Sequence, residues 1–277
     1  MNKFDIENPN ESEELKHFKN IILNKANVFY LNNNDGSYFD KLLIGNEPVQ
    51  IEGSNSRKYD KLDLGIVNGK KLLAGIEVMK IDGTGNKKGS VNQEKQNMFV
   101  KKFDEECKDK QEHVKQDTFS YNFSLNTYIK NFKTIFNGHV QKIEDYRDIM
   151  KKYSLEKKLD YTEAKLGFLI RDDFPDSIKF NGEKIVFSPH RCKELLDLMY
   201  SAKKIDFFLF SMNEEHGKPL LICMRNTKET YDYIIKNETF VTETTNFIMT
   251  GTTSVLAAFI DNLFIESKID VTKEEKE

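Results

Sequence analysis

Three ionisable residues interrupt two apolar runs of the sequence. Asp63 lies in the run KLDLGIV, and Glu77 and Lys80 lie in the run KLLAGIEVMKI. Charged side chains in such runs either point to solvent from half-exposed strands or converge on a ligand. Two carboxylates on neighbouring strands repel each other unless a cation lies between them, and hard divalent ions such as Mg²⁺ prefer oxygen ligands. The pattern therefore indicates either a hairpin with a solvated face or a metal site built on two strands.

The two runs are joined by Asn68-Gly69, a strong short-range signal for a tight hairpin turn. Because side chains alternate between the faces of a strand, Asp63 and Glu77 are expected to be cross-strand neighbours on one face. The same alternation points Lys80 away from Glu77. A β-bulge between Gly75 and Met79 would re-aim Lys80; otherwise another residue must supply the cation.

The order of elements in this region resembles the PD-(D/E)XK nuclease superfamily, which includes restriction endonucleases and repair nucleases. A first helix is followed by a hairpin that carries Asp63 and, after thirteen intervening residues, Glu77, with Lys80 close behind and a helix next. The resemblance covers about residues 10–110. It departs from the family pattern in one respect, because the family has Glu-X-Lys and this chain has two residues between the acid and the lysine.

The resemblance implies a metal-dependent endonuclease that hydrolyses DNA. In this interpretation Asp63 and Glu77 bind Mg²⁺ or Mn²⁺, and Lys80 helps to position or activate the attacking water, so that all three are catalytic. Gln93, on the following helix, is similar to auxiliary polar residues that some members place beside the site. The resemblance also implies that the C-terminal half recognises the substrate or forms a homodimer.

Two alternatives remain open at the level of the sequence. If Lys80 does not reach the acids, the protein is a catalytically degenerate member of the fold that binds nucleic acid or another partner. Alternatively, Lys80-Ile81-Asp82-Gly83 resembles the KxDG motif of nucleotidyltransferases, in which the lysine takes up a nucleotide. The later Lys-X-Lys motif of that family has no convincing counterpart here.

The rest of the sequence predicts an α/β fold with a mixed sheet flanked by helices, formed by a restriction-endonuclease-like core and an elaborated C-terminal half. Helical spacing of apolar residues marks a first helix over about residues 11–26. The segments AKLGFLIRDD, IDFFLFSM and KPLLICMRN predict buried strands, and TSVLAAFIDNLFIESK predicts a final helix. We expect one domain over residues 1–277, with its core in 10–135, the elaboration in 136–277 and a soft boundary between them.

Composition limits the protein class further. The net charge of −3 lacks the basic footprint of a general nucleic-acid coat protein. Cys107, Cys192 and Cys223 are widely spaced, which favours neither a disulfide framework nor a zinc knuckle and is typical of a reducing compartment. The polar N-terminus lacks the apolar core of a signal peptide, and the longest apolar run, interrupted by Asp261, is too short to span a bilayer. The sequence thus predicts a cytoplasmic protein with no membrane partner.

Overall fold

The structure is a computed structural model that describes residues 12–22, 27–51, 62–81, 112–172, 177–180, 183–186, 188–213, 219–238, 240–241, 246–258 and 268–270. These residues contain α-helices at α1 Glu13–Ile22, α2 Gly36–Leu43, α3 Leu125–Val140, α4 Ile143–Lys157, α5 Lys193–Ser201 and α6 Lys228–Asn237. The first seven strands are β1 Val28–Tyr30, β2 Glu47–Gln50, β3 Leu64–Asn68, β4 Lys71–Ile81, β5 Glu112–Ser124, β6 Lys165–Asp172 and β7 Ser177–Phe180. The remaining strands are β8 Glu183–Val186, β9 Phe207–Asn213, β10 Pro219–Arg225, β11 Asn246–Ala258 and β12 Lys268–Asp270.

The central element is a seven-stranded mixed sheet with the order β1-β10-β9-β6-β4-β3-β2. Strands β2, β3 and β4 form an antiparallel meander, whereas β4, β6 and β9 run parallel to one another. Parallel neighbours require a crossover, and α3 and α4 supply it between β4 and β6. The predicted α/β class, with a mixed sheet flanked by helices, is confirmed. The restriction-endonuclease-like character of its core stays a prediction.

Apolar side chains cover both faces of this sheet. On one face, residues of α1 and α2 such as Phe18 and Phe39 pack with Ile76 of β4 and Leu169 of β6. On the other face, aromatic rings of α3, α4, β6 and β9 contact one another, and Phe168 of β6 lies at their centre. The two faces of β4 therefore contact different layers of helices, so successive side chains of that strand lie in different environments.

The chain divides into two compact units. One comprises Met1–Ile81 and Phe132–Thr242, and the other comprises Asp82–Asn131 and Glu243–Glu277. The first contains the seven-stranded sheet and a β7–β8 hairpin, and the second contains an antiparallel sheet with the order β12-β11-β5. Within the first unit, β4 from the predicted core pairs with β6 from the predicted C-terminal elaboration.

The expected hairpin is confirmed, with its turn shifted by one residue. Asn68 pairs with Lys71, so the two turn residues are Gly69 and Lys70, and Gly69 has a φ of 55° that favours glycine.

The expected final helix is wrong where the structure describes it, because residues 253–258 belong to β11, which pairs with β5 over its whole length. Short apolar runs do not distinguish a buried strand from a buried helix by periodicity alone. Among the described residues, no helix is both long and apolar enough to cross a bilayer.

Candidate functional site

Asp63, which immediately precedes β3, lies opposite Glu77 in the second half of β4. The pairing of Leu64 with Ile76 makes Asp63 and Glu77 the next pair along the two strands, as the alternation predicts. The Asp63 side chain is fixed by the backbone, because the Val78 N–H donates a hydrogen bond of 2.8 Å to Asp63 Oδ2. The Asp63 carboxylate, one residue before β3, thus accepts a hydrogen bond from the backbone of β4.

Glu77 is buried, with 6% of its surface exposed, and two groups from the α3–α4 layer hold one of its oxygens. The Tyr146 hydroxyl donates to Glu77 Oε1 at 3.1 Å, and His139 Nδ1 lies 3.0 Å from the same oxygen. His139 Nδ1 is also 2.8 Å from the Tyr146 hydroxyl, so the three groups form a closed network. In the described part of the chain, the other oxygen, Glu77 Oε2, is buried and has no hydrogen-bond partner.

Close packing of α4 against β4 positions this network. A Cβ atom on Gly75 would lie 2.8 Å from Met150 Cγ of α4 and 2.6 Å from Leu62 Cδ2, so a larger residue there would require these side chains to shift. Met150 lies one helical turn after Tyr146, and Gly75 lies two residues before Glu77 on the same face of β4. The contact between Gly75 and Met150 therefore brings the Tyr146 hydroxyl to the Glu77 carboxylate.

Both carboxyl groups have a pKa above the usual value for their residue type. Burial and, next, the negative charge of Glu77 raise the pKa of Asp63 to about 7, although the hydrogen bond from Val78 opposes this change. Burial also raises the pKa of Glu77, against the lowering effect of the contacts with His139 and Tyr146 and of the Lys142 charge. A pair of partly desolvated carboxylates is relieved by a proton or by a cation. The Asp63–Glu77 pair therefore favours the binding of a proton or of a cation.

Lys80 lies on the opposite face of β4 from Glu77. Its ammonium group bonds Glu14 Oε1 of α1 at 2.8 Å, and 64% of its side chain is exposed. Between β3 and β4 the register shifts at Ile66 and Val67, whereas β4 pairs with β6 without interruption from Ala74 to Ile81. The bulge that would re-aim Lys80 is thus absent from this part of β4, and the structure does not bring Lys80 to the two acids.

The other route to a cation is present in the α3–α4 layer. His139, near the end of α3, and Lys142, which precedes α4, both act electrostatically on Glu77. Sequence reasoning missed His139 and Tyr146, because they lie seven positions apart on two different helices and show no ligand spacing. Their only sequence signal is the short connection between two amphipathic helices, which brings the end of one helix beside the start of the next.

Several predicted features lie outside the described residues. Gln93, the auxiliary residue, is one of them, as are Asp82 and Gly83 of the KxDG-like segment. The nucleotidyltransferase interpretation and the role of Gln93 therefore stay predictions. Of that segment, the structure describes Lys80 in its ion pair with Glu14, and Ile81 at the end of β4.

The donor set fits a hard divalent ion that keeps part of its hydration shell. The described residues include no cluster of three or more His, Cys, Asp or Glu side chains suited to a metal ion. Mg²⁺, however, is commonly held by one or two carboxylates, with water and substrate phosphates as the remaining ligands. Asp63 and the unpartnered Oε2 of Glu77 provide two such carboxylates. Comparisons of this chain with protein-family models, curated proteins and solved structures found no match.

Proposed function

We propose that this protein is a divalent-cation-dependent phosphodiesterase that cleaves DNA, with Asp63 and Glu77 as the ligands of Mg²⁺ or Mn²⁺. The observation that carries the proposal is the pair of facing carboxyl groups, in which the buried Glu77 Oε2 has no partner among the described residues. A buried polar atom without a partner costs roughly 1–3 kcal/mol. A cation bound by both groups would remove this cost and the repulsion at the same time.

The residues around the pair have separate roles in this proposal. Tyr146 and His139 hold Glu77 Oε1, so Oε2 would be the oxygen that binds the cation, and the Val78 N–H fixes Asp63. His139 takes the position beside Glu77 that the resemblance assigns to Lys80. If Asp63 and Glu77 held Mg²⁺, the ion would supply the Lewis-acid chemistry that assists hydrolysis of a phosphodiester. DNA as the substrate, a homodimeric assembly and a cytoplasmic location come from the sequence and its resemblance.

The test is cleavage of plasmid and single-stranded DNA in the presence of Mg²⁺ or Mn²⁺. It compares variants on the Glu77 side of β4 with a variant on its opposite face. Asp63→Asn and Glu77→Gln are expected to abolish metal-dependent cleavage. His139→Gln is expected to reduce it about 10- to 100-fold, as is usual for groups that support a metal ligand. Lys80→Ala is the matched control, because Lys80 follows Glu77 on the same strand but pairs with Glu14, and it is expected to retain activity.

The competing function is a catalytically degenerate binding protein, which the orientation of Lys80 favours. Absence of cleavage by folded wild-type protein on both substrates would support this alternative and reject the phosphodiesterase. Loss of cleavage in Lys80→Ala with retention in His139→Gln would instead restore the role that the resemblance gives to Lys80. A covalent nucleotide adduct on Lys80 would identify the nucleotidyltransferase.

A further inference from the structure

A second polar cluster lies on the α1 face of the sheet, near the carboxyl ends of three parallel strands. Lys80 of β4 pairs in register with Arg171 of β6, and Arg171 pairs with Ser211 of β9. Register partners on parallel strands point to the same face, so the three side chains form one row. We call Lys80, Arg171 and Ser211 the strand-end row.

Helix α1 contacts both ends of the strand-end row. Glu14 Oε1 bonds the Lys80 ammonium at 2.8 Å, and His17 Nε2 lies 2.7 Å from Ser211 Oγ. Glu14 and His17 are three residues apart and so lie on one face of the helix. Arg171 occupies the middle of the row, between these two contacts.

The described side chains of this cluster carry more positive than negative charge. Lys80 and Arg171 lie on neighbouring strands, where like charges are unfavourable, and among the described side chains Glu14 is the carboxylate bonded to the row. The Arg171 charge acts on both helix residues, since it contributes to lowering the pKa of Glu14 and of His17. Burial is the larger cause for His17, which therefore favours its neutral form. Within the described part of the chain, one positive charge, centred on Arg171, thus has no bonded acid in the row.

We propose that Arg171, together with His17 and Ser211, binds a phosphate group at the strand-end row, in a site separate from the Asp63–Glu77 pair. The planar guanidinium presents paired N–H groups that match two phosphate oxygens. The Ser211 hydroxyl and the His17 ring add short-range polar contacts, and the Glu14–Lys80 ion pair bounds the site on the β4 side. Ligands of α/β sheets commonly bind at the carboxyl ends of parallel strands. The phosphate belongs either to a small phosphorylated molecule or to a nucleic-acid backbone.

The test is an equilibrium titration of the full chain with inorganic phosphate, AMP and a single-stranded oligonucleotide. All titrations contain EDTA, so that the result does not depend on metal at Asp63 and Glu77. Arg171→Gln is expected to weaken phosphate binding about 10- to 100-fold, because hydrogen bonds to charged groups are lost. Lys151→Gln is the matched control, since it removes the same charge from an exposed position on α4 and is expected to leave the affinity for phosphate unchanged.

The ligands distinguish the two sources of phosphate. Dependence of phosphate and AMP binding on Arg171 supports a small phosphorylated ligand, whereas dependence of oligonucleotide binding alone supports a nucleic-acid backbone. Ser211→Ala, which keeps every charge, is expected to weaken binding by a smaller factor and provides the test if Arg171→Gln does not fold. Equal affinity of the wild type and both variants for all three ligands, or no binding by the wild type, would overturn the proposal.

Discussion

Replacement of Asp63 by asparagine should make the metal-free protein more stable at high pH. The variant keeps a side-chain oxygen that can accept the hydrogen bond from the Val78 N–H, and it removes the charge that faces Glu77. The pKa of Asp63 rises from its ordinary value of 3.8 to about 7 in the folded chain. The folded state therefore binds more protons than the unfolded state between about pH 4 and pH 7.

The sign and size of the effect follow from this difference. The stability that Asp63 contributes is greatest below the unfolded pKa, falls as the pH rises through the window and stays low above the folded pKa. The interval from pH 5 to the folded pKa of about 7 spans two pH units, and each unit corresponds to about 1.4 kcal/mol. The free energy of unfolding of Asp63→Asn, minus that of the wild type, should thus increase by roughly 2–3 kcal/mol from pH 5 to pH 8.

Urea denaturation in EDTA at the two pH values measures this difference. Asp232→Asn on α6 is the matched control, because Asp232 is exposed and forms a surface ion pair with Lys228; its difference from the wild type should not change with pH. Addition of Mg²⁺ at pH 8 should then stabilise the wild type but not Asp63→Asn. A difference between Asp63→Asn and the wild type that is the same at pH 5 and pH 8 would refute the electrostatic account of the pair.

Three further substitutions test the packing and hydrogen bonding around the site by urea denaturation. Tyr146→Phe removes a hydrogen-bond donor to buried Glu77 and should lower the free energy of unfolding by about 1.5–3 kcal/mol at pH 8, so that a change below about 0.5 kcal/mol would contradict the network. Gly167→Ala places a Cβ 2.1 Å from the Phe207 ring and should destabilise by about 1–3 kcal/mol; wild-type stability would show that the ring moves freely. Lys158→Gly should stabilise by roughly 1 kcal/mol, because Lys158 ends α4 with a φ of 56°, and a loss of stability would argue against that geometry.

The sequence was sufficient to predict the hairpin and the facing of Asp63 and Glu77. Both follow from local rules, namely a glycine-containing turn and the alternation of side chains along a strand. The same alternation predicted that Lys80 points away from Glu77, and the structure places Lys80 against Glu14. The strands β6, β9 and β10 were also recognisable, because they are short apolar runs bounded by polar turns.

Features that depend on tertiary contacts could not be predicted from local patterns in the sequence. Residues 253–258 have a composition compatible with a helix, and their pairing with β5 makes them a strand. The approach of His139 and Tyr146 to Glu77 depends on the docking of α3 and α4 against β4, and the contact of His17 with Ser211 joins residues 194 positions apart. No local pattern in the sequence encodes these distances.

Titration of Mn²⁺ into the protein, with free Mn²⁺ followed by electron paramagnetic resonance, tests the proposed metal site most directly. The account predicts one Mn²⁺ bound per chain by the wild type and by Lys80→Ala, and loss of this binding in Asp63→Asn and in Glu77→Gln. Equal Mn²⁺ binding by all four proteins, or no binding by the wild type, would contradict the assignment of Asp63 and Glu77 as metal ligands.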